Sequence, residues 1–136
     1  MVHFSTIVNA TLEKVWFHLL NKIEKPENFV PGVSDVIILE KNNEFVLRQM
    51  TVKTEENRTI LKEKITFSPY KVRFLIIDHP KIEGFVDNEI RMISKDETEM
   101  TFTINWKDKT TKTEINNLEM VKNAVLKTKL YIESIT

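Results

Sequence analysis

The stretch Leu61-Lys62-Glu63-Lys64-Ile65-Thr66-Phe67 alternates side-chain type, and its apolar set Leu61, Ile65 and Phe67 also carries Glu63. Period-two alternation is the signature of a strand packed on one face and wetted on the other. The neighbouring stretch Val46-Leu47-Arg48-Gln49-Met50-Thr51-Val52 repeats the pattern, with Arg48 among Val46, Met50 and Val52. Further on, Asn88 stands among Val86, Ile90 and Met92. Working outward, the same reading predicts strands over 36–41, 45–53, 59–68, 72–78, 85–94 and 100–107. They are rich in Val, Ile, Thr and Phe. Turns as short as Lys41-Asn42-Asn43-Glu44, Ser68-Pro69-Tyr70 and Lys95-Asp96-Glu97 join them. Parallel pairing needs long crossovers, so these strands are read as antiparallel.

His3 to Asn9 reads as a first strand, ahead of a helix whose Leu12, Val15, Trp16, Leu19, Leu20 and Ile23 share one face. Asn9 or Thr11 caps its start, and Lys25-Pro26 ends it because proline disfavours a helical residue before it. A short helical turn and loop over 26–33 follows, in which Phe29 and Val30 form either a lid or a hydrophobic plug. At the other end, Thr111-Lys112-Thr113-Glu114 fits a capping box for a long terminal helix. Leu118, Val121, Val125, Thr128, Ile132 and Ile135 line one face of that helix, and Asn116, Asn117, Lys122, Asn123 and Lys127 face away. Such a helix spans about 30–35 Å at ~1.5 Å per residue. Lys112, Lys122, Lys127 and Lys129 read as a solvated face. The pattern gives an α+β chain with a single domain over 1–136: a curved antiparallel sheet wrapped round the C-terminal helix.

Composition removes whole classes of function. Twenty basic and twenty acidic residues cancel, whereas a nucleic-acid face needs excess cations, so no nucleic-acid partner is expected. Zero cysteines rule out thiolate metal sites and thiol nucleophiles and suit a cytoplasmic location. Gly32 and Gly84 are the only glycines, too few for a phosphate-cradling loop. The start, Met1-Val2-His3-Phe4-Ser5, lacks a signal peptide's pattern, and no apolar run reaches the ~18 residues of a membrane span. His3, His18 and His79 fall on three separate elements without metal-ligand spacing, so neither metal nor cofactor is expected. No Gly-x-Ser-x-Gly elbow occurs.

Three polar side chains on an otherwise apolar face cost several kcal/mol unless paired or hydrated. Arg48, Glu63 and Asn88 therefore point to a hollow between sheet and terminal helix, holding a small apolar molecule by its polar group. Met50, Phe74 and Trp106 from the sheet and Val121 and Val125 from the helix complete the expected lining. For the Arg48–Glu63 pair the alternative is a self-neutralising ion pair with the arginine partly in solvent, and Trp106 either lines the hollow or fills the core. Asp78-His79-Pro80 invites a catalytic reading, yet adjacent strand residues point to opposite faces, and a strand end before a proline turn explains them as well.

Several segments together resemble the START-like (SRPBCC, Bet v 1-like helix-grip) superfamily, and within it the AtaL-like group. They are Ala10-Thr11-Leu12-Glu13-Lys14-Val15-Trp16, the run from Glu24 to Val33, Val46-Leu47-Arg48-Gln49-Met50, Lys62-Glu63-Lys64-Ile65-Thr66-Phe67 and Ile77-Asp78-His79-Pro80. The resemblance implies a seven-stranded sheet gripping the C-terminal helix over a pocket for a lipid-like or polyketide-like molecule. Arg48 and Glu63 match positions that are charged in the AtaL-like group. Superfamily members either bind and carry such molecules or act as aromatase/cyclases. The resemblance supplies no catalytic set. Three functions stay open: a binder, an enzyme of the cyclase, aromatase or isomerase type using Glu63, Asp78 or His79, and a protein-interaction module. Oligomeric state is not legible.

Overall fold

The computed structural model describes residues 1–30, 32–53, 57–115 and 117–135. Strand β1 (Val2–Val8) leads into helix α1 (Leu12–Glu24) and a 3-10 turn, η1 (Pro26–Asn28). Six strands follow: β2 (Val33–Lys41), β3 (Val46–Lys53), β4 (Arg58–Ser68), β5 (Lys71–Ile77), β6 (Ile82–Ser94) and β7 (Glu97–Asp108). Helix α2 (Leu118–Ser134) is the last element in chain order. The seven strands form one antiparallel sheet in the order β1-β7-β6-β5-β4-β3-β2, the helix-grip α+β arrangement.

Local chemistry accounts for the element ends. The Thr11 hydroxyl accepts from the Lys14 N–H at 3.2 Å and caps α1, while the Asn9 N–H donates instead to Glu133 Oε2 at 2.7 Å. In the β2–β3 turn, Asn42 Oδ1 accepts from the N–H groups of Glu44 and Phe45 at 2.8 and 3.0 Å. Gly84 has φ +121°, and a Cβ there would lie 1.9 Å from the Asn105 carbonyl oxygen, so only glycine lets β6 approach β7 at this point.

The terminal helix departs from expectation at its start. Thr111–Glu114 is not a capping box: Asp108 Oδ1 accepts from the N–H groups of Thr110 and Thr111, and the segment turns back along β7. Glu114 bridges to Lys107, and its carboxylate meets the N-terminal ammonium at 2.7 Å. The helix begins four residues after Glu114, at Leu118, where the Asn117 side chain accepts from the Met120 N–H at 3.0 Å. Its 17 residues span roughly 25 Å rather than 30–35 Å. Val121, Val125, Thr128 and Ile132 are buried as expected, but Leu118 and Ile135 at the ends are exposed. The expected orientation of Asn116, and the loop reading at Pro31, lie outside the described residues.

Two of the lysines read as solvated tie α2 down. Lys129 Nζ donates to the Ile7 carbonyl at 2.6 Å, and Lys127 Nζ donates to the Glu27 carbonyl at 3.1 Å. Lys14 Nζ also donates to the Ile135 carbonyl. Beneath these ties, Val121, Val125 and Ile132 pack with Val8, Met100, Phe102 and Ile104 of β1 and β7. The middle of the sheet is covered by α1, whose Trp16, Leu20 and Ile23 pack on Val46, Ile65, Val72 and Phe74.

Candidate functional site

Register brings the sequence candidates together. Arg48 of β3 stands directly opposite Glu63 of β4, so both side chains rise from the inner face at one level. The exposures of Arg48, Glu63 and Asn88 are 2%, 3% and 0%. Arg48 Nη2 and Nε donate to Glu63 Oε1 at 2.6 and 3.2 Å. The guanidinium has a second task. Its Nη1 donates to the carbonyls of Lys22 and Ile23 at 3.2 and 2.9 Å, in the last turn of α1. Those carbonyls carry the negative end of the helix dipole, which favours a cation there. Arg48 is thus turned wholly inward, not partly to solvent, and joins α1 to the sheet.

Sequence reasoning missed the fourth member of this group. Lys22 is 4% exposed, and its Nζ donates to Asn88 Oδ1 at 2.7 Å. The amine sits 4.1 Å from the centre of the Phe102 ring and 5.3 Å from that of Phe74. Phe74 also has the Arg48 guanidinium 5.1 Å from its ring centre. Spacing held the signal: Val15, Leu19 and Lys22 follow at four and three residues, placing Lys22 on the buried stripe of α1. Burial first, and then the Arg48 cation, bring the Lys22 amine down from 10.5 to about 7, with Glu63 partly opposing. When Lys22 is charged, the group holds two cations against one carboxylate. The Asn88 Nδ2, part of the amide whose oxygen receives Lys22, has no hydrogen-bond partner.

The remaining candidates are dispersed round this row. Met50 packs with Val33, Leu61 and Ile76, and Trp106 lies half-buried between that cluster and the one beneath α2. Trp106 Nε1 has no hydrogen-bond partner. Val121 and Val125 are buried under α2.

Asp78 and His79 do not form a dyad. β5 ends at Ile77, Asp78 has φ 53° and is exposed, and buried His79 accepts at Nδ1 from the N–H groups of Lys81 and Ile82, both at 3.0 Å. Burial first, then Lys109 and Lys81, lower the His79 pKa. This imidazole holds the β5–β6 turn.

Over the middle of the sheet, where the sequence reading expects a hollow, α1 packs Trp16, Leu20 and Ile23. Phe29 acts as the plug: it is 1% exposed and meets the Tyr131 ring edge-on at 4.6 Å. Open grooves lie elsewhere. One of about 290 Å³ is lined by Thr66, Phe67, Ser68, Lys71 and Arg73. Another, of about 170 Å³, runs between the end of α1, η1 and α2 along Asn21, Glu24, Lys25, Asn28, Phe29 and Tyr131. Neither is lined by Arg48, Glu63, Asn88, Met50, Phe74, Trp106, Val121 or Val125. Among the described residues no helix is long and apolar enough to cross a membrane, and no group of three or more His, Asp or Glu side chains is arranged to hold a metal ion.

Residues 5–135 match the family described as Acetylaranotin biosynthesis cluster protein L, AtaL. The chain belongs to the AtaL family. No curated protein matches this AtaL-family chain. Its fold recurs in solved structures of low sequence identity. The Zhui aromatase/cyclase from Streptomyces sp. R1128 is 14% identical, with TM-score 0.72 over 98% of this chain and 88% of that one. A START superfamily protein from Mycobacterium smegmatis is 12% identical, with TM-score 0.73 over 98% and 94%. Ara h 8.0201 is also 12% identical, with TM-score 0.68 over 98% and 94%. At such identities the likeness shows a shared fold, and function has to be argued from the side chains.

Proposed function

We propose that this AtaL-family chain binds a small apolar molecule, lipid-like or polyketide-like, on the inner face of its sheet. The carrying observation is the buried row of Lys22, Asn88, Arg48 and Glu63, with its excess cation and its unpartnered Asn88 N–H. A buried donor without an acceptor costs ~1–3 kcal/mol, and a guest oxygen placed between Lys22 and Asn88 would relieve that cost. Met50, Phe74, Trp106, Val121 and Val125 would shed water from the guest's apolar body. Since α1 fills the face, the guest enters by parting α1 and η1 from α2, selecting a more open state of the same fold.

Thermal melts with decanoic acid and naphthol, beside native mass spectrometry of gently extracted protein, test this reading. Expected are a melting temperature raised by an intact compound, and an affinity about tenfold lower in Asn88→Leu, the worth of roughly one hydrogen bond. No stabilisation by any such compound, with Asn88→Leu as stable as the wild type, refutes it and favours an interaction module.

A reading from another class, an enzyme of the cyclase or aromatase type, gains support from Lys22, an amine that can give or take a proton near neutral pH. It requires a converted product and loss of turnover, but not of fold, in Glu63→Gln and Lys22→Met.

A further inference from the structure

The interior of this fold carries an amine in a setting that fits covalent chemistry with carbonyl compounds. Lys22 Nζ makes one hydrogen bond, to Asn88 Oδ1 at 2.7 Å, and otherwise faces aromatic carbon, with the Phe102 ring centre at 4.1 Å and that of Phe74 at 5.3 Å. The Arg48 guanidinium shares the Phe74 ring with this amine, at 5.1 and 5.3 Å from the ring centre, and lowers the amine's pKa. A lysine in an apolar pocket beside a second cation is one of the arrangements that frees an amine lone pair for nucleophilic attack. An ordinary lysine stays protonated at neutral pH and is inert, whereas here the amine is held at about 7. A purely structural salt-bridging lysine would face a carboxylate. Lys22 faces a neutral amide, while Glu63 is engaged by Arg48.

We propose that Lys22 is a carbonyl-capturing residue, forming a reversible imine with a ketone or aldehyde group of the guest. The neutral amine attacks the carbonyl carbon, and the C–N bond forms as the C–O π bond opens. The carbonyl oxygen takes up a proton, and Asn88 Nδ2–H, free of any partner, is placed on the same amide to hold that oxygen. Loss of the second amine proton and of the hydroxyl as water leaves C=N. Amine and carbonyl give imine and water, with no oxidant or reductant required. With a β-diketone the imine shifts to an enaminone, which persists without trapping. The substrate class is an apolar ketone or aldehyde, and a β-diketone is the probe whose adduct survives analysis. This inference rests on the binding reading above.

Benzoylacetone is the probe, incubated with the full chain near pH 7 and followed by intact-mass and peptide mapping. Butylbenzene, of similar shape but without a carbonyl, is the parallel ligand in thermal melts. Expected is one adduct per chain, with the mass of benzoylacetone less one water, on the peptide containing Lys22. It should vanish in Lys22→Met and Lys22→Arg and persist in Lys25→Arg, whose side chain is exposed on the same helix end. Should both Lys22 variants fail to fold by circular dichroism, the position of the adduct in the wild type decides. Adducts confined to exposed lysines, or none, while butylbenzene raises the melting temperature, overturn the imine and leave binding standing. No adduct and no stabilisation by either compound overturn both.

Discussion

Four side chains, Lys22, Arg48, Glu63 and Asn88, set most of the energetics at the residue scale. Stripping one partner from a buried ion pair leaves the other charge stranded, at a cost of about 3–5 kcal/mol. Arg48→Met is therefore expected to lose that much in urea denaturation. Joint replacement, Arg48→Met with Glu63→Leu, removes both charges, and an isolated pair would then show near-neutral stability. Here the double variant should still fall about 1–3 kcal/mol short, because the carbonyls of Lys22 and Ile23 lose their donor. Lys22 makes a pH prediction of defined sign. Its amine titrates at about 7 when folded and near the ordinary 10.5 when unfolded. Between those values the unfolded chain binds the extra proton, so stability rises with pH across that window, by at most ~1.4 kcal/mol per pH unit. Arg48 and Glu63 are the charged groups acting on it. Denaturation of wild type against Lys22→Met across that range checks this, and a constant difference would contradict the buried amine.

Elements end where their caps lie, and α2 is the case in which sequence pattern misled. Both Thr111-x-x-Glu114 and Asn117 offer side chains to a helix start, but Asp108 draws the Thr110 and Thr111 N–H groups into a turn first. Asn117→Ala should cost about 0.5–2 kcal/mol and speed hydrogen exchange in the first turn of α2. Thr111→Ala should leave that turn unchanged, since its hydroxyl serves the Thr113 N–H. In β6, Gly84→Ala forces a Cβ toward the Asn105 carbonyl at a φ of +121°. A loss well above ~1 kcal/mol is expected from urea melts, because the residue has the wrong backbone region and no room.

At the scale of the whole molecule, α1 and α2 divide the sheet between them. α2 covers β1 and β7, and α1 packs on the middle strands. A guest at a hundred times its Kd should stabilise the fold by about 2.7 kcal/mol, less the cost of parting the helices, as a rise in melting temperature. The Phe29–Tyr131 contact and the Lys127 bond to Glu27 cross the junction proposed for entry. Hydrogen exchange quickened there in the free chain, and slowed by a guest, is the expected pattern; equal protection with and without guest would speak against entry at this junction.

The amino-acid order alone determined the strands, their antiparallel pairing, the stop of α1, and the inward placing of Arg48, Glu63 and Asn88. Each follows from backbone geometry over a few residues: strand side chains alternate, short turns reverse the chain, and proline breaks a helix. Only the tertiary structure decided that Arg48 reaches the end of α1, that Lys22 is sealed against Asn88, and that α1 rather than empty space lies on the middle strands. Those outcomes join residues 25, 26 and 66 positions apart. A periodic pattern says which face a side chain leaves from, and packing between distant elements settles what it meets there.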